Sequence, residues 1–300
     1  MSQSPSDLEH LRRRIDEIDN RLVDLLIERL DIVARVGAHK RNTGSVAPHQ
    51  PAREAEIIRR LVERGRDRFP PTTLVRMWRE LLAATVRQQG AFAVAVYAPA
   101  DHPGYWDLAR DHYGSHTPMQ VYGSTAQIIG AVTEGHAAVG VLPMPQEGEA
   151  DPWWRHMLST REDAPHVIAR LPFGGRGNAR FDGANALAIG RGVPQPSGRD
   201  RTFLVSEHAD DISRGRIVSL LSELGLSCLF LAYCEHADGA HCLIELDGFV
   251  PFSDPRLATF RSRLGPALSH LLPFGGYAVP LSPAELDPAG HAPAPPRMEN

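Results

Sequence analysis

The chain has 300 residues, 42% of them hydrophobic and 23% charged, with a formal net charge of -4 at pH 7. That length predicts two or three domains with their own cores, and the near-balanced charge gives no electrostatic case for a nucleic-acid partner or a membrane surface. No apolar run approaches the ~20 residues that span a bilayer. The opening MSQSPSDLEHLRRR lacks the apolar segment of a signal peptide, and three cysteines make a poor disulfide framework, so a cytoplasmic setting is expected.

Residues 5–90 are predicted to be helical. No proline stands between Ser6 and Ala47, and Leu8, Leu11, Ile15, Ile18, Leu22, Leu25, Ile32 and Val36 recur at 3-4 spacing. That spacing predicts one long helix of about 50 Å, ending near Asn42, Thr43 and Gly44. Pro51 opens a second helix through Ile57, Ile58 and Leu61. Pro70 and Pro71 break it, and a third follows with Leu74, Trp78, Leu81, Leu82 and Val86 as its stripe. Two short helices cannot bury so long a stripe, so a homodimer through the N-terminal helices is expected.

Residues 92–192 change period to alternating strands and helices. AFAVAVYAP, MQVYG, AAVGVLPMP, PHVIARLPF and NALAIGR predict strands; Tyr105–Tyr113 and TAQIIGAVTEG predict helices. The order suggests a small α/β lobe on a largely parallel sheet, with GVPQPSGRD as a linker. Residues 200–282 predict strand, helix, strand, strand, helix, strand, the split βαβ order. Residues 283–300, rich in proline and alanine, are expected to be disordered.

The chemistry lies in the first helix. The slot that holds Leu8, Ile15, Leu22 and Val36 holds Arg29 at its fourth place. A guanidinium in an apolar seam is costly unless an anion meets it. Lys40 follows eleven residues on, about 20° round the helix. Arg12 and Arg53 are further candidates, so the site would take a small ligand with more than one carboxylate. A lone seam arginine can instead pair with an acid such as Glu28 or Glu54, or reach out to water. Thr85 and Gln89 share a face of the third helix and offer neutral hydrogen bonds, unless they are a solvated helix end.

The run LRRRIDEIDNRLVDLLIERLDIVARVGAHKRNTG resembles the first helix of the AroQ-type chorismate mutases. PAREAEIIRRL is similar to the start of their second helix and LVRMWRELLAATVRQQG to their third. The resemblance implies an all-α three-helix domain in an intertwined dimer, acting on chorismate to give prephenate with no cofactor and no metal. It implies that Arg12 reaches a substrate carboxylate from the partner subunit, that Arg29 clamps a carboxylate, and that Lys40 contacts a carboxylate and the ether oxygen. Arg53 would be a polar neighbour, Glu54 would accept from the substrate hydroxyl, Thr85 would bind substrate, and Gln89, with Gln88 as fallback, would meet the ether oxygen. Gln50 stands where the family often has Asp; it can hydrogen-bond a hydroxyl but brings no charge. An intramolecular rearrangement of a dianion needs compact binding and donors where charge grows, which cations and amides supply.

The α/β lobe resembles part of the prephenate dehydratase domain that follows the mutase in bifunctional P-proteins, chiefly in AAVGVLPMP. The dehydratase Thr-Arg-Phe motif has its nearest match in Asn178-Ala179-Arg180-Phe181, where alanine replaces the threonine and cannot donate a proton. Dehydratase activity is therefore expected to be absent. Residues 200–282 resemble an ACT regulatory domain without its usual phenylalanine-binding elements, so either an amino-acid effector or a purely dimerising role stays open. Cys228, Cys234, His236, His241 and Cys242 match no familiar zinc spacing, and Gly174, Gly175 and Gly177 follow no clear strand-to-helix junction that would make a phosphate cradle. A second class of function also stands open: a non-catalytic metabolite-sensing or regulatory protein of the shikimate pathway built on a mutase-like dimer.

Overall fold

A computed structural model of the chain describes residues 5–42, 49–66, 68–161, 163–180, 184–209, 212–236 and 239–287, and at 5, 6, 40–42 and 236 it describes the backbone alone. Two compact units emerge. One holds α1 (Pro5–Asn42) with residues 85–91; the other holds residues 49–84 and everything after 91.

In the first unit, α1 runs 38 residues without a break, about 57 Å at 1.5 Å per residue. Thr43 and Gly44, expected with Asn42 to end the helix, lie outside the described residues. Leu8, Leu11, Ile15, Ile18, Leu22, Leu25, Leu26, Ile27, Ile32 and Val36 are all 44–59% exposed. Around Leu22–Ile27 the helix is apolar on more than one side, a composition that requires burial on several faces.

In the second unit, α2 (Pro51–Gly65) starts with proline in its first turn, where no amide donor is missed. α3 (Pro71–Gln89) starts at the second proline of the predicted break. The sheet strands are β1 (Val94–Tyr97), β2 (Met119–Tyr122), β3 (Val139–Pro143), β4 (His166–Leu171), β5 (Ala186–Gly190), β6 (Asp200–His208), β7 (Cys228–His236), β8 (Gly239–Asp247) and β9 (Leu268–Ala278). Helices α4 (Gly104–Tyr113), α5 (Thr125–Thr133), α6 (Arg214–Glu223), α7 (Pro255–Leu264) and the short α8 (Pro283–Leu286) fall between and after them.

The strands form one nine-stranded sheet in the order β2-β1-β3-β5-β4-β9-β6-β8-β7. The last four form the predicted split βαβ unit, with β6 antiparallel to both β8 and β9, and β7 antiparallel to β8. Three expectations need correction. The lobe's sheet is parallel only across β2-β1-β3; β3-β5 and β5-β4 are antiparallel, because β4 returns to β5 without a crossover helix. The segment predicted as a linker is tied down: Ser197 and Asp200 are buried and hydrogen-bonded to each other, and Arg59 of α2 donates to Ser197 O and Oγ, Arg199 O and Val279 O. The tail is ordered at its start, where Ser282 and Glu285 form a reciprocal capping box on α8; residues 288–300 lie outside the described residues.

The two parts of the sheet meet at a single bridged pair, Val167 with Gly275. Gly275 has φ +109°, and a Cβ there would lie 2.2 Å from Val167 O. Only glycine lets the backbones approach so closely. One core cluster joins the sheet to Trp153 and Trp154, and another packs α6 and α7 on the opposite side. A third joins Ala55, Ile58 and Val62 of α2 and Val75 and Leu82 of α3 to Phe173 and Leu281 beyond the sheet strands. The second and third helices are therefore packed on the sheet-bearing chain as one core.

Candidate functional site

The expected site residues fall in both units. In the first, Arg12 is exposed on α1. Arg29 is half-buried, its Nη1 is buried, and that atom has no hydrogen-bond partner among the described residues. Burial pushes the Arg29 guanidinium below its usual pKa, the sign of a cation held out of water. Lys40 lies on the last turn of α1, and its side chain is outside what is described. Thr85 is buried, and Gln89 Nε2 donates to Thr85 O one turn back at 3.3 Å.

In the second unit, Gln50 is half-buried at the N-cap of α2 and makes no side-chain capping bond. Arg53 is exposed and pairs with Glu56 at 2.7 Å, so it is engaged along its own helix. Glu54 is buried and paired with buried Arg79, Nη1 to Oε2 at 3.0 Å. Its other oxygen, Oε1, lies 3.8 Å from His49 Nε2. Arg79 stacks over the Phe173 ring at 4.9 Å.

Around this pair is an aromatic box. His49 packs on Phe92 and Tyr113, and His112 packs on Tyr113. Burial, with Arg79 nearby, holds the His49 pKa below its usual value against the pull of Glu54. Burial, Arg79 and His49 together push His112 lower still, and burial pushes the Tyr113 hydroxyl up. The sequence reading missed Arg79, His49 and Phe173. A signal for Arg79 was present: Val75, Arg79, Leu82 and Val86 share one helix face, the same cation-in-an-aliphatic-row pattern that singled out Arg29.

The two histidines set a pH dependence. Their folded pKa lies below the unfolded value of about 6.5. The unfolded chain therefore binds more protons below about pH 6.5, and stability falls as pH drops through that value. Urea midpoints measured between pH 8 and pH 5 should decline, and His112→Phe should flatten the decline; a midpoint that holds level or rises toward pH 5 would contradict the assignment.

At the carboxyl end of β1 an open cleft of about 280 Å³ is lined by Pro99, Pro103, Trp106, Val121 and Arg180, among others. Arg180 Nε donates to buried Asp107 at 2.8 Å, and the Arg180 backbone N–H donates to the same carboxylate at 3.0 Å. Ala179 is buried, and Phe181 lies outside the described residues. In the split βαβ part, Cys234 pairs in register with His241, and Glu207 lies near His241 and His270. Among the described residues no group of three or more His, Cys, Asp or Glu is placed to hold a metal ion. No helix there is long and apolar enough to cross a membrane.

Residues 11–90 match the family Chorismate mutase type II. The chain is 31% identical over 97 residues to the bifunctional chorismate mutase/prephenate dehydratase of Aquifex aeolicus (strain VF5), covering 31% of this chain and 26% of that protein. It is 24% identical over 146 residues to the protein of the same description from Stutzerimonas stutzeri, covering 47% of this chain and 40% of that one. The chain thus matches between about a quarter and two fifths of the length of these curated relatives. A structure of a prephenate dehydratase from Arthrobacter aurescens in complex with L-Phe is similar over 66% of this chain and 95% of its own, at 12% identity and a TM-score of 0.46.

The chain has the class of three N-terminal helices followed by a mixed α/β sheet. Residues 11–90 are similar to the Chorismate mutase type II family, and a stretch of the chain is similar to the bifunctional enzymes.

Proposed function

We propose that this chain is a chorismate mutase, an isomerase that converts chorismate to prephenate in aromatic amino acid biosynthesis. The observation that carries it is Arg29: a guanidinium on an aliphatic seam, with Nη1 buried and no acid paired to it among the described residues, inside the segment that matches the mutase family. A doubly charged ligand would supply the missing anion.

In this reading Arg12, Arg29 and Lys40 bind the carboxylates, and Lys40 and Gln89 meet the ether oxygen as negative charge grows there. Glu54 and Gln50 face the substrate hydroxyl, with Arg53 and Thr85 alongside. The Gln89 amide, folded back on Thr85 O, would turn toward the ligand on binding. The reaction needs no cofactor. The exposed aliphatic face of α1 supports a homodimer, because a face of that size is unstable in water and a second α1 offers the matching stripe. Residues 5–90 would be the mutase domain, 92–192 a reduced dehydratase-like lobe and 200–282 an ACT-like domain, in a cytoplasmic enzyme. An amino-acid effector at the ACT-like part, and the absence of dehydratase activity, belong to the same proposal. Alanine at 179 and the engagement of Arg180 by Asp107 support the latter.

Incubating the purified full-length protein with chorismate tests the proposal. Prephenate should form far above the uncatalysed rate, with no phenylpyruvate following it. One observation favours the second reading, a non-catalytic sensor: Glu54 and Arg53 are both engaged by neighbouring side chains. Tight binding of a transition-state mimic without turnover would select that reading.

A further inference from the structure

We propose that Arg79 is a positioning residue for the Glu54 carboxylate and that Phe173, which lies outside the segment that matches the mutase family, holds Arg79 in place. This rests on the reading of Glu54 as the acceptor for the substrate hydroxyl.

The geometry runs in one line. Phe173 follows β4 and is buried. Its ring carries the Arg79 guanidinium at 4.9 Å and the Arg59 guanidinium at 5.6 Å. Arg79 in turn holds Glu54 Oε2 at 3.0 Å, with side-chain exposures of only 4% and 12%. Oε1 is 3.8 Å from His49 Nε2, beyond hydrogen-bonding reach, and in the proposed reading it is this oxygen that accepts from the ligand hydroxyl. Arg79 Nε is buried without a partner among the described residues, so Arg79 is not sunk in a fully satisfied network. A planar guanidinium fixed on one side by an aromatic face and on the other by a carboxylate oxygen sets the carboxylate's rotation. A lysine would leave that rotation free. Arg59 is anchored separately, on Ser197, Arg199 and Val279, and also lies over the ring.

A hydrogen bond to an ionised acceptor is sensitive to its alignment, so the effect should show in discrimination for the hydroxyl rather than in turnover generally. The test compares kcat/KM for chorismate and for an analogue lacking the ring hydroxyl, using the full chain. The unaltered protein should prefer chorismate by about 10- to 100-fold. In Arg79→Met the preference should collapse to about twofold, with Arg79→Lys and Phe173→Leu between the two. Glu54→Gln should collapse it as well, and adding Arg79→Met to Glu54→Gln should lower it no further. If the single variants lose thermal stability but keep the full preference, the pair is only structural and the proposal is overturned. Should Arg79→Met fail to fold, Arg79→Lys and Phe173→Leu decide between the same two outcomes. A wild-type chain that makes no prephenate would instead overturn the mutase reading itself, and this inference with it.

Discussion

Arg29→Met is expected to lower kcat/KM for chorismate by about 10²- to 10³-fold, the usual cost of removing one preorganised donor, while leaving the protein as stable as before or about 1 kcal/mol more stable. The two effects have opposite signs for one reason. Arg29 occupies a slot whose other members are Leu8, Ile15, Leu22 and Val36, and its Nη1 is buried without a partner among the described residues. Holding that charge away from water costs free energy in the unliganded protein, and methionine fills similar volume without the cost. In the proposed mutase the charge is useful only when a dianion arrives. Lys40→Met should show the same loss of activity. Steady-state kinetics and urea denaturation on the same preparations check both signs. A variant that loses stability and retains turnover would mark Arg29 as a structural residue and remove the main support for the mutase reading.

Arg79→Met is expected to destabilise the chain by about 3–5 kcal/mol, because it leaves the buried Glu54 carboxylate with no paired cation. The double variant Glu54→Gln with Arg79→Met should recover most of that loss, to within about 1 kcal/mol of the unaltered protein, since both charges leave together. The reference is a pair 3.0 Å apart with both side chains almost fully enclosed. A double-mutant cycle by chemical denaturation measures the coupling. Near-additive losses would mean that the two groups are solvated and that water, rather than Arg79, balances Glu54. The exposed Arg53–Glu56 pair is the internal control: Arg53→Ala should change stability by no more than about 0.5 kcal/mol.

The helical architecture was legible because local rules dictate it. The 3-4 spacing of aliphatic residues, the absence of proline between Ser6 and Ala47, and the prolines at 51, 70 and 71 place α1 over its described length and α2 and α3 close to their observed ends. The five strands of the lobe and the split βαβ order were readable for the same reason, since each strand is a short apolar or alternating run bounded by turn residues. Arg29 stood out because a single charge breaks a periodic apolar slot.

What the sequence by itself determined were the helices α1 to α7 and the strands between them, the split βαβ order and the charged interruption of the α1 seam, because these depend on spacing along a few turns of chain. Only the tertiary structure decided that two predicted sheets are one, through the close approach of Gly275 to Val167. It also decided that the predicted linker is anchored by Arg59, and that Glu54 is held by an arginine backed by Phe173. Those contacts join residues up to 140 positions apart, and the partners of a buried charge follow from which surfaces meet in space, something no local pattern encodes.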